Sequence, residues 1–303
     1  MSDAVALPSQ PSPSRGVRGW IRSPYRRPVF LQAVTVAYIL WSILPVVIAI
    51  LVSFNAGRSN STVQSFGLHW WINDPDGLSL WQDPVIRRAM LQTYILSTVT
   101  MLVAVPLGVA FAIGLDRWHG RPATGANFLM LVTFVLPEII IGLSIRLVIQ
   151  HLFTFVQLGT MAQLIGLITF QISYPVIIVR ARMLVIPKEF EEGGMDLGAS
   201  PQQAVRRVLL PMLYPAILAS FAVVFADTVD DFVTASYLAG PASSQALSQF
   251  IYGSVRSSPT PATNAAATVM LVTTTAAIAL GYLAYKRVAR GQEGHDVASF
   301  SQL

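Results

Sequence analysis

Six uninterrupted apolar runs, Val29–Phe54, Met90–Leu115, Asn127–Ile149, Thr160–Val179, Met212–Leu238 and Ala262–Tyr285, constrain this chain more than any other feature. A hydrocarbon layer about 30 Å thick is crossed by about 20 apolar residues in a helix, and each run meets that length. Barrel strands would alternate polar and apolar residues over short segments, and no such alternation occurs. Prolines 45, 106, 137 and 175 fall inside the runs. Membrane helices tolerate them where neighbouring helices satisfy the freed backbone groups. Only 12% of the 303 residues are charged, half the share usual in soluble domains. The expected fold class is an all-α membrane protein with six transmembrane helices.

The first run is too long for a signal-peptide core and lacks a small-residue cleavage site, so it reads as a retained helix. Absence of cysteine removes disulfides, thiol catalysis and thiolate metal sites. The net charge of +5 would point to nucleic acid in a soluble protein, but topology accounts for it here. Arg15, Arg18, Arg22, Arg26 and Arg27 precede the first run, and Arg117 and Arg121 lie in the second connection. Arg180, Arg182, Lys188, Arg206 and Arg207 lie in the fourth, and Lys286, Arg287 and Arg290 follow the last run. The other side holds Arg58, Arg87, Arg88 and Arg256. Basic residues concentrate on the cytoplasmic side, so both termini are expected there.

Residues 1–28, rich in Pro, Ser and Arg, read as a disordered basic cytoplasmic tail, and residues 286–303 as a second cytoplasmic tail. Residues 55–88 form an outer loop whose Trp70, Trp71 and Trp81 are expected at the membrane interface. His69, His119, His151 and His295 are scattered without metal-ligand spacing.

The inner loop 180–211 reads as two short helices. Pro187 opens the first, and Glu189, Glu191 and Glu192 suit its positive end. Gly198 suits a left-handed stop. Ser200-Pro201-Gln202-Gln203 then supplies an N-cap, a first-turn proline and a capping-box glutamine. Gly193 and Gly194 would each cost about 1 kcal/mol inside a helix, so close approach to a partner's surface is one candidate reason for small residues there. Local chemistry alone fits a docking element and an ordinary solvated helix–turn–helix equally well.

Acidic residues inside apolar runs are functional candidates by default. Glu138 lies roughly 16 Å along the third run at 1.5 Å per residue, near mid-membrane, and Asp227 roughly 22–24 Å along the fifth, with Asp230 and Asp231 nearer the outer surface. Asp227, Asp230, Asp231 and Thr234 follow i, i+3, i+4, i+7 spacing, which puts them on one face of a continuous helix. Such a face favours cations over anions, multivalent organic cations most of all; an interfacial position is the blander account of the outermost aspartates. Arg146 is expected to snorkel outward or to pair with an acid. Lys188 and Lys286 are the only lysines, and neither follows a GxxxxG loop. ATP hydrolysis would therefore come from another polypeptide.

Glu192-Gly193-Gly194, three residues, Gly198, nine residues, then Val208-Leu209-Leu210-Pro211 resembles the EAA loop of ABC-importer permeases. Glu192, Gly198, Leu210 and Pro211 match it, Val208 stands for isoleucine, and Gly193 and Gly194 depart from its alanines. Asp230-Asp231-Phe232-Val233 with Gly240-Pro241, Leu136-Pro137-Glu138-Ile139-Ile140-Ile141-Gly142 and Asp196-Leu197-Gly198-Ala199-Ser200 are similar to segments of spermidine/putrescine permeases. The resemblance implies a type I ABC importer permease fold over residues 29–285, multi-pass in the cytoplasmic (inner) membrane of a prokaryote. It implies partners as well: a second permease subunit (a heterodimer is favoured), two ATP-binding subunits that carry ATP and Mg, and an extracytoplasmic solute-binding protein. No cofactor on this chain and no nucleic acid are expected. The ATPase-coupling residues would be Glu192, Gly193, Gly194, Gly198, Leu210 and Pro211; the substrate-pathway candidates, by position and charge, are Glu138, Asp227, Asp230 and Asp231. A polyamine is the expected cargo, with another amine, an opine-like compound or a metal complex as the alternative. An intramembrane aspartyl protease would need two facing carboxylates, for which only Glu138 is available opposite the aspartates. A channel or secondary transporter would leave the inner loop unexplained.

Overall fold

The computed structural model describes residues 29–58, 64–117, 120–257 and 260–300; the expected N-terminal tail lies outside them. Every extended element among them is helical apart from an isolated bridge between Asn55 and Phe66. The helices are α1 (Val29–Ser53), α2 (Pro84–Arg117), α3 (Arg121–Val135), α4 (Glu138–His151), α5 (Thr160–Gln171), α6 (Ser173–Met183) and α7 (Glu189–Asp196). After these come α8 (Pro201–Ala204), α9 (Leu210–Asp230), α10 (Val233–Tyr237), α11 (Leu247–Ser257) and α12 (Pro261–Phe300). Five helical stretches are long and apolar enough to span a bilayer, and six if α3 and α4 together make one.

The chain divides into two compact units near Ile48. The first unit is the N-terminal part of α1, whose apolar side chains from Phe30 to Val47 are exposed, as suits lipid. The second unit holds the rest. Its core is built on α2, with α9, α6 and α5 packed along it and α12 against α9. Lipid tails are as apolar as leucine, so helices here associate through close van der Waals contact and interhelical hydrogen bonds. Ala104, Gly108 and Ala112 recur every four residues on the buried stripe of α2. The gap at Gly108 is filled by Pro175 and the Ile172 carbonyl of α6. Val105, Val109, Val176, Val179, Leu213 and Val224 complete the apolar packing around this seam.

Three expectations change. The third run is a pair of helices, α3 and α4, bent by 110° at Leu136-Pro137. Proline has no N–H to donate and biases the residue before it to extended backbone; Leu136 has ψ 137. The linear depth assigned to Glu138 therefore does not hold: it opens α4. The fifth run is broken after Asp230, with Asp231 and Phe232 outside α9 and α10. The four polar residues 227, 230, 231 and 234 thus do not share one continuous helical face. Finally, α12 continues past Tyr285, where the C-terminal tail was expected to begin, to Phe300.

The connection between α1 and α2, expected as the outer loop, packs two of its three tryptophans against other residues. Trp70 is 1% exposed and sits with Leu80, Ile86, Ala89 and Leu247. Trp71 donates its indole N–H to the Ser53 carbonyl and stacks on Phe54. Trp81 alone of the three remains exposed, as an interfacial ring would be.

A side chain at position 108 would put its Cβ 2.4 Å from Pro175 Cγ and 3.0 Å from the Ile172 carbonyl. Gly108→Leu is expected to destabilise by about 1–3 kcal/mol through overpacking, read as a lower melting temperature in nanodiscs. Gly125→Ala, where nothing lies within 4 Å of the added carbon, is expected to melt at or above the wild-type temperature.

Candidate functional site: an acidic helix break above a docking loop

The inner loop folds as its local chemistry dictates. Glu189, Glu191 and Glu192 occupy the first turn of α7. Gly198 has φ +91°, its N–H bonds the Met195 carbonyl, and the Ala199 N–H bonds the Gly194 carbonyl. That pairing is a Schellman stop, which a residue with a side chain would strain. Ser200 and Gln203 form the reciprocal capping box at α8. The glycines separate in role. A Cβ on Gly194 would lie 3.3 Å from Val208 Cγ2, whereas Gly193 faces open space. Close packing inside the loop therefore accounts for Gly194 alone.

From α8 the chain runs through a π-helical stretch, Val205–Leu209, into α9. Pro211 cannot donate to the Arg207 carbonyl, and the Leu210 N–H bonds Val205 instead, one residue further back than in an α-helix. Leu210 and Pro211 are half-buried, and Glu192, Gly193 and Gly198 are exposed. Leu184, Val185, Phe190 and Leu197 are exposed in the same loop, Leu197 at 92%. Large apolar side chains beside exposed carboxylates suit a protein surface rather than water.

The acidic residues divide differently from the sequence expectation. Asp231 is 8% exposed. Its Oδ1 accepts from the Ala235 N–H at 3.0 Å and so caps α10. Its Oδ2 is buried without a hydrogen-bond donor. The neighbouring carboxyl is Glu138 of α4, whose Oε1 accepts from Thr234 Oγ1 at 3.1 Å. Asp227, half-buried on α9, accepts from Gln171 Nε2 at 2.7 Å and from the Tyr174 hydroxyl at 3.5 Å. Asp230 is exposed at the end of α9. The structure thus brings Glu138 and Asp231 together and leaves Asp230 on the outside.

Several residues that the sequence did not single out hold this site. Gln163, fully buried on α5, donates to the carbonyls of Ala235 (2.9 Å) and Ser244 (3.0 Å). It accepts from Gln92 of α2 at 2.9 Å. Thr93 Oγ1 accepts the Leu247 N–H, and Ser248 donates to the Asp231 carbonyl. Arg146 donates to the Tyr237 carbonyl at 3.1 Å, and among the described residues it forms no ion pair with an acid. Gln171, 0% exposed, leaves its carbonyl oxygen unpaired beside Asp227. The available signal was polar residues buried within apolar runs; the uncharged ones are common enough in helices to pass unnoticed.

Residues 104–293 match the family model described as the binding-protein-dependent transport system inner membrane component. The putrescine transport system permease protein PotI of Escherichia coli is 27% identical over 278 residues, covering 90% of this chain and 94% of the relative. The spermidine/putrescine transport system permease protein PotC of the same organism is 27% identical over 251 residues, covering 83% and 92%. Among solved structures, a subunit of a bacterial ABC transporter that imports the acidic polysaccharide alginate superposes with TM-score 0.69 at 15% identity, covering 85% of this chain and 95% of that one. A chain of the inward-facing MetNI methionine ABC transporter superposes with TM-score 0.52 at 18% identity, covering 67% and 93%. At those identities the structures speak for the fold, which is that of type I ABC importer permeases.

Gln163→Leu would strip partners from two buried carbonyls, each costing about 1–3 kcal/mol when left unpaired. The expected outcome is a melting temperature several degrees lower, together with faster amide exchange at residues 235–246.

Proposed function

The chain belongs to the family of binding-protein-dependent transport system inner membrane components, and from that membership we propose that it is the permease subunit of an importer for putrescine- or spermidine-like polyamines. The family is one of transport components, so the paired carboxylates are read as cation ligands and not as a protease dyad. The observation that carries the cargo reading is the juxtaposition of Glu138 and Asp231 at two helix breaks, with Asp231 Oδ2 buried and lacking a donor. A primary ammonium supplies three N–H donors and a positive charge, which is what two adjacent carboxylates lack. Asp227, with the unpaired Gln171 carbonyl beside it, offers a second acceptor group for a chain carrying more than one amine. The names of the relatives PotI and PotC support the same cargo. Exposed Asp230 would draw cations toward the site.

Both termini are proposed to be cytoplasmic in a prokaryotic inner membrane, as the arginine distribution favours. The partners proposed are a second permease subunit, two ATP-binding subunits carrying ATP and Mg, and an extracytoplasmic solute-binding protein. Glu192, Gly193, Gly194 and Gly198 would meet the ATP-binding subunit, with Leu210 and Pro211 joining that contact to α9. Closure of the ATPase pair would move α7 and open the site outward; hydrolysis would return it to face inward.

Glu138→Gln and Asp231→Asn keep shape and acceptor oxygens but remove charge. Each is expected to lower putrescine uptake at least tenfold in reconstituted vesicles while the ATP-binding subunits still co-purify. Uptake at the wild-type rate in both variants removes the pair from the pathway.

Gly198→Leu places a branched side chain at φ +91° and is expected to cost about 1–2 kcal/mol locally. ATP hydrolysis should then proceed with little uptake. A wild-type ratio of amine imported to ATP hydrolysed counts against the docking role of this loop.

A further inference from the structure

α2 contains 34 residues, about 50 Å at 1.5 Å per residue, against a hydrocarbon layer of about 30 Å. It is therefore longer than a span requires, and both of its ends are fastened to parts of the site. At the inner end Arg117 forms an ion pair with Glu191, in the first turn of α7. Glu191 is 17% exposed in this pair and Arg117 39%, so the contact is partly withdrawn from water. Toward the outer end, Gln92 bonds Gln163, which holds the Ala235 and Ser244 carbonyls, and Thr93 receives the Leu247 N–H directly. Between them Gly108, on the small stripe with Ala104 and Ala112, lets Pro175 and the Ile172 carbonyl come close against α2.

We infer that α2 is a connecting rod between the docking helix α7 and the non-helical segment around Asp231, and that Arg117 is the positioning residue that engages it. The inference rests on the importer reading and goes beyond it. The covalent route from α7 to Asp231 runs through α8, the π-helical stretch and α9, and it delivers motion to Asp230. The second route, through Arg117, α2, Gln92 and Gln163, delivers motion to residues 235–247 on the far side of the break. When α7 moves, the two routes shift opposite sides of Asp231, and its distance from Glu138 changes. A single covalent lever would carry both sides together.

The test uses the whole complex, co-purified with its ATP-binding and binding-protein partners and reconstituted in vesicles, with radiolabelled putrescine as the probe. R117E and E191R are each expected to lower putrescine imported per ATP hydrolysed by about five-fold, the upper end of what one partly exposed pair biases in an equilibrium. The exchanged double variant R117E/E191R is expected to recover to within about two-fold of wild type, a coupling that a double-mutant cycle isolates. Arg117→Gln should fall between. Unchanged coupling in both single variants overturns the inference. So does a double variant no better than either single one, or loss of the ATP-binding subunits from both R117E and Arg117→Gln, which would assign the pair to assembly. If wild type hydrolyses ATP but imports no putrescine, the cargo reading fails while the rod is still decided by binding-protein-stimulated ATPase activity, lowered in the single variants and recovered in the double if the inference holds, unchanged if it does not.

Discussion

Everything specific to this molecule depends on how broken backbone is satisfied where water is scarce. A continuous helix pairs its own amides; a break in hydrocarbon exposes groups that cost several kcal/mol each. Here the chain between α9 and α11 is broken on both sides of the short α10, and side chains from three other helices close its bonds. Gln163 takes the Ala235 and Ser244 carbonyls, Arg146 takes the Tyr237 carbonyl, and Thr93 receives the Leu247 N–H. Asp231 itself caps Ala235. These contacts permit two carboxylates to face one another at a break instead of being spread along a helix.

The inner loop obeys the opposite economy. In contact with water, it is held by local motifs: the Schellman stop at Gly198 and the Ser200–Gln203 box. Those motifs fix the angle between α7 and α8 and leave Glu192, Phe190 and Leu197 outward. A rigid turn with an exposed apolar and acidic face can transmit a push, whereas a flexible loop would absorb it. Arg117 then joins that face to α2, so under the proposed docking role a change at this face would not pass through the covalent chain alone.

The sequence carried these two regions unequally. Caps and turns depend on residues within a few positions of one another, so the loop could be read at residue level from Gly198, Ser200 and Gln203. The spans followed from apolar length, and the acidic residues stood out because charge inside such runs is rare. What escaped was determined by residues far apart in the chain. Pro137 marked an interruption, but its 110° consequence depends on the packing of α4 against α10. The break after Asp230 has no proline at all, and a continuous apolar run concealed it. Gln92 and Gln163 lie 71 positions apart, and only folding reveals them as a bonded pair. Trp70 looked interfacial because tryptophan near a span end usually is; a core of Leu80, Ile86 and Leu247 claimed it instead.

The two carboxylates at the break are not equivalent, and the difference bears on the cation proposed to bind there. Glu138 opens α4, where unpaired N–H groups and the helix dipole suit negative charge. Asp231 follows the last residue of α9, whose end of the dipole suits positive charge, although its Oδ1 also caps the short α10. A cation between them would therefore gain from Asp231 and the end of α9 together, while Glu138 closes the site from a helix that does not itself favour the cation. Motion that separates α4 from the end of α9 would withdraw one carboxylate and leave the other, weakening the hold on an ammonium without unfolding either helix. An ordered helix carrying all its acids on one face would bind a cation along its length and have no such means of letting go.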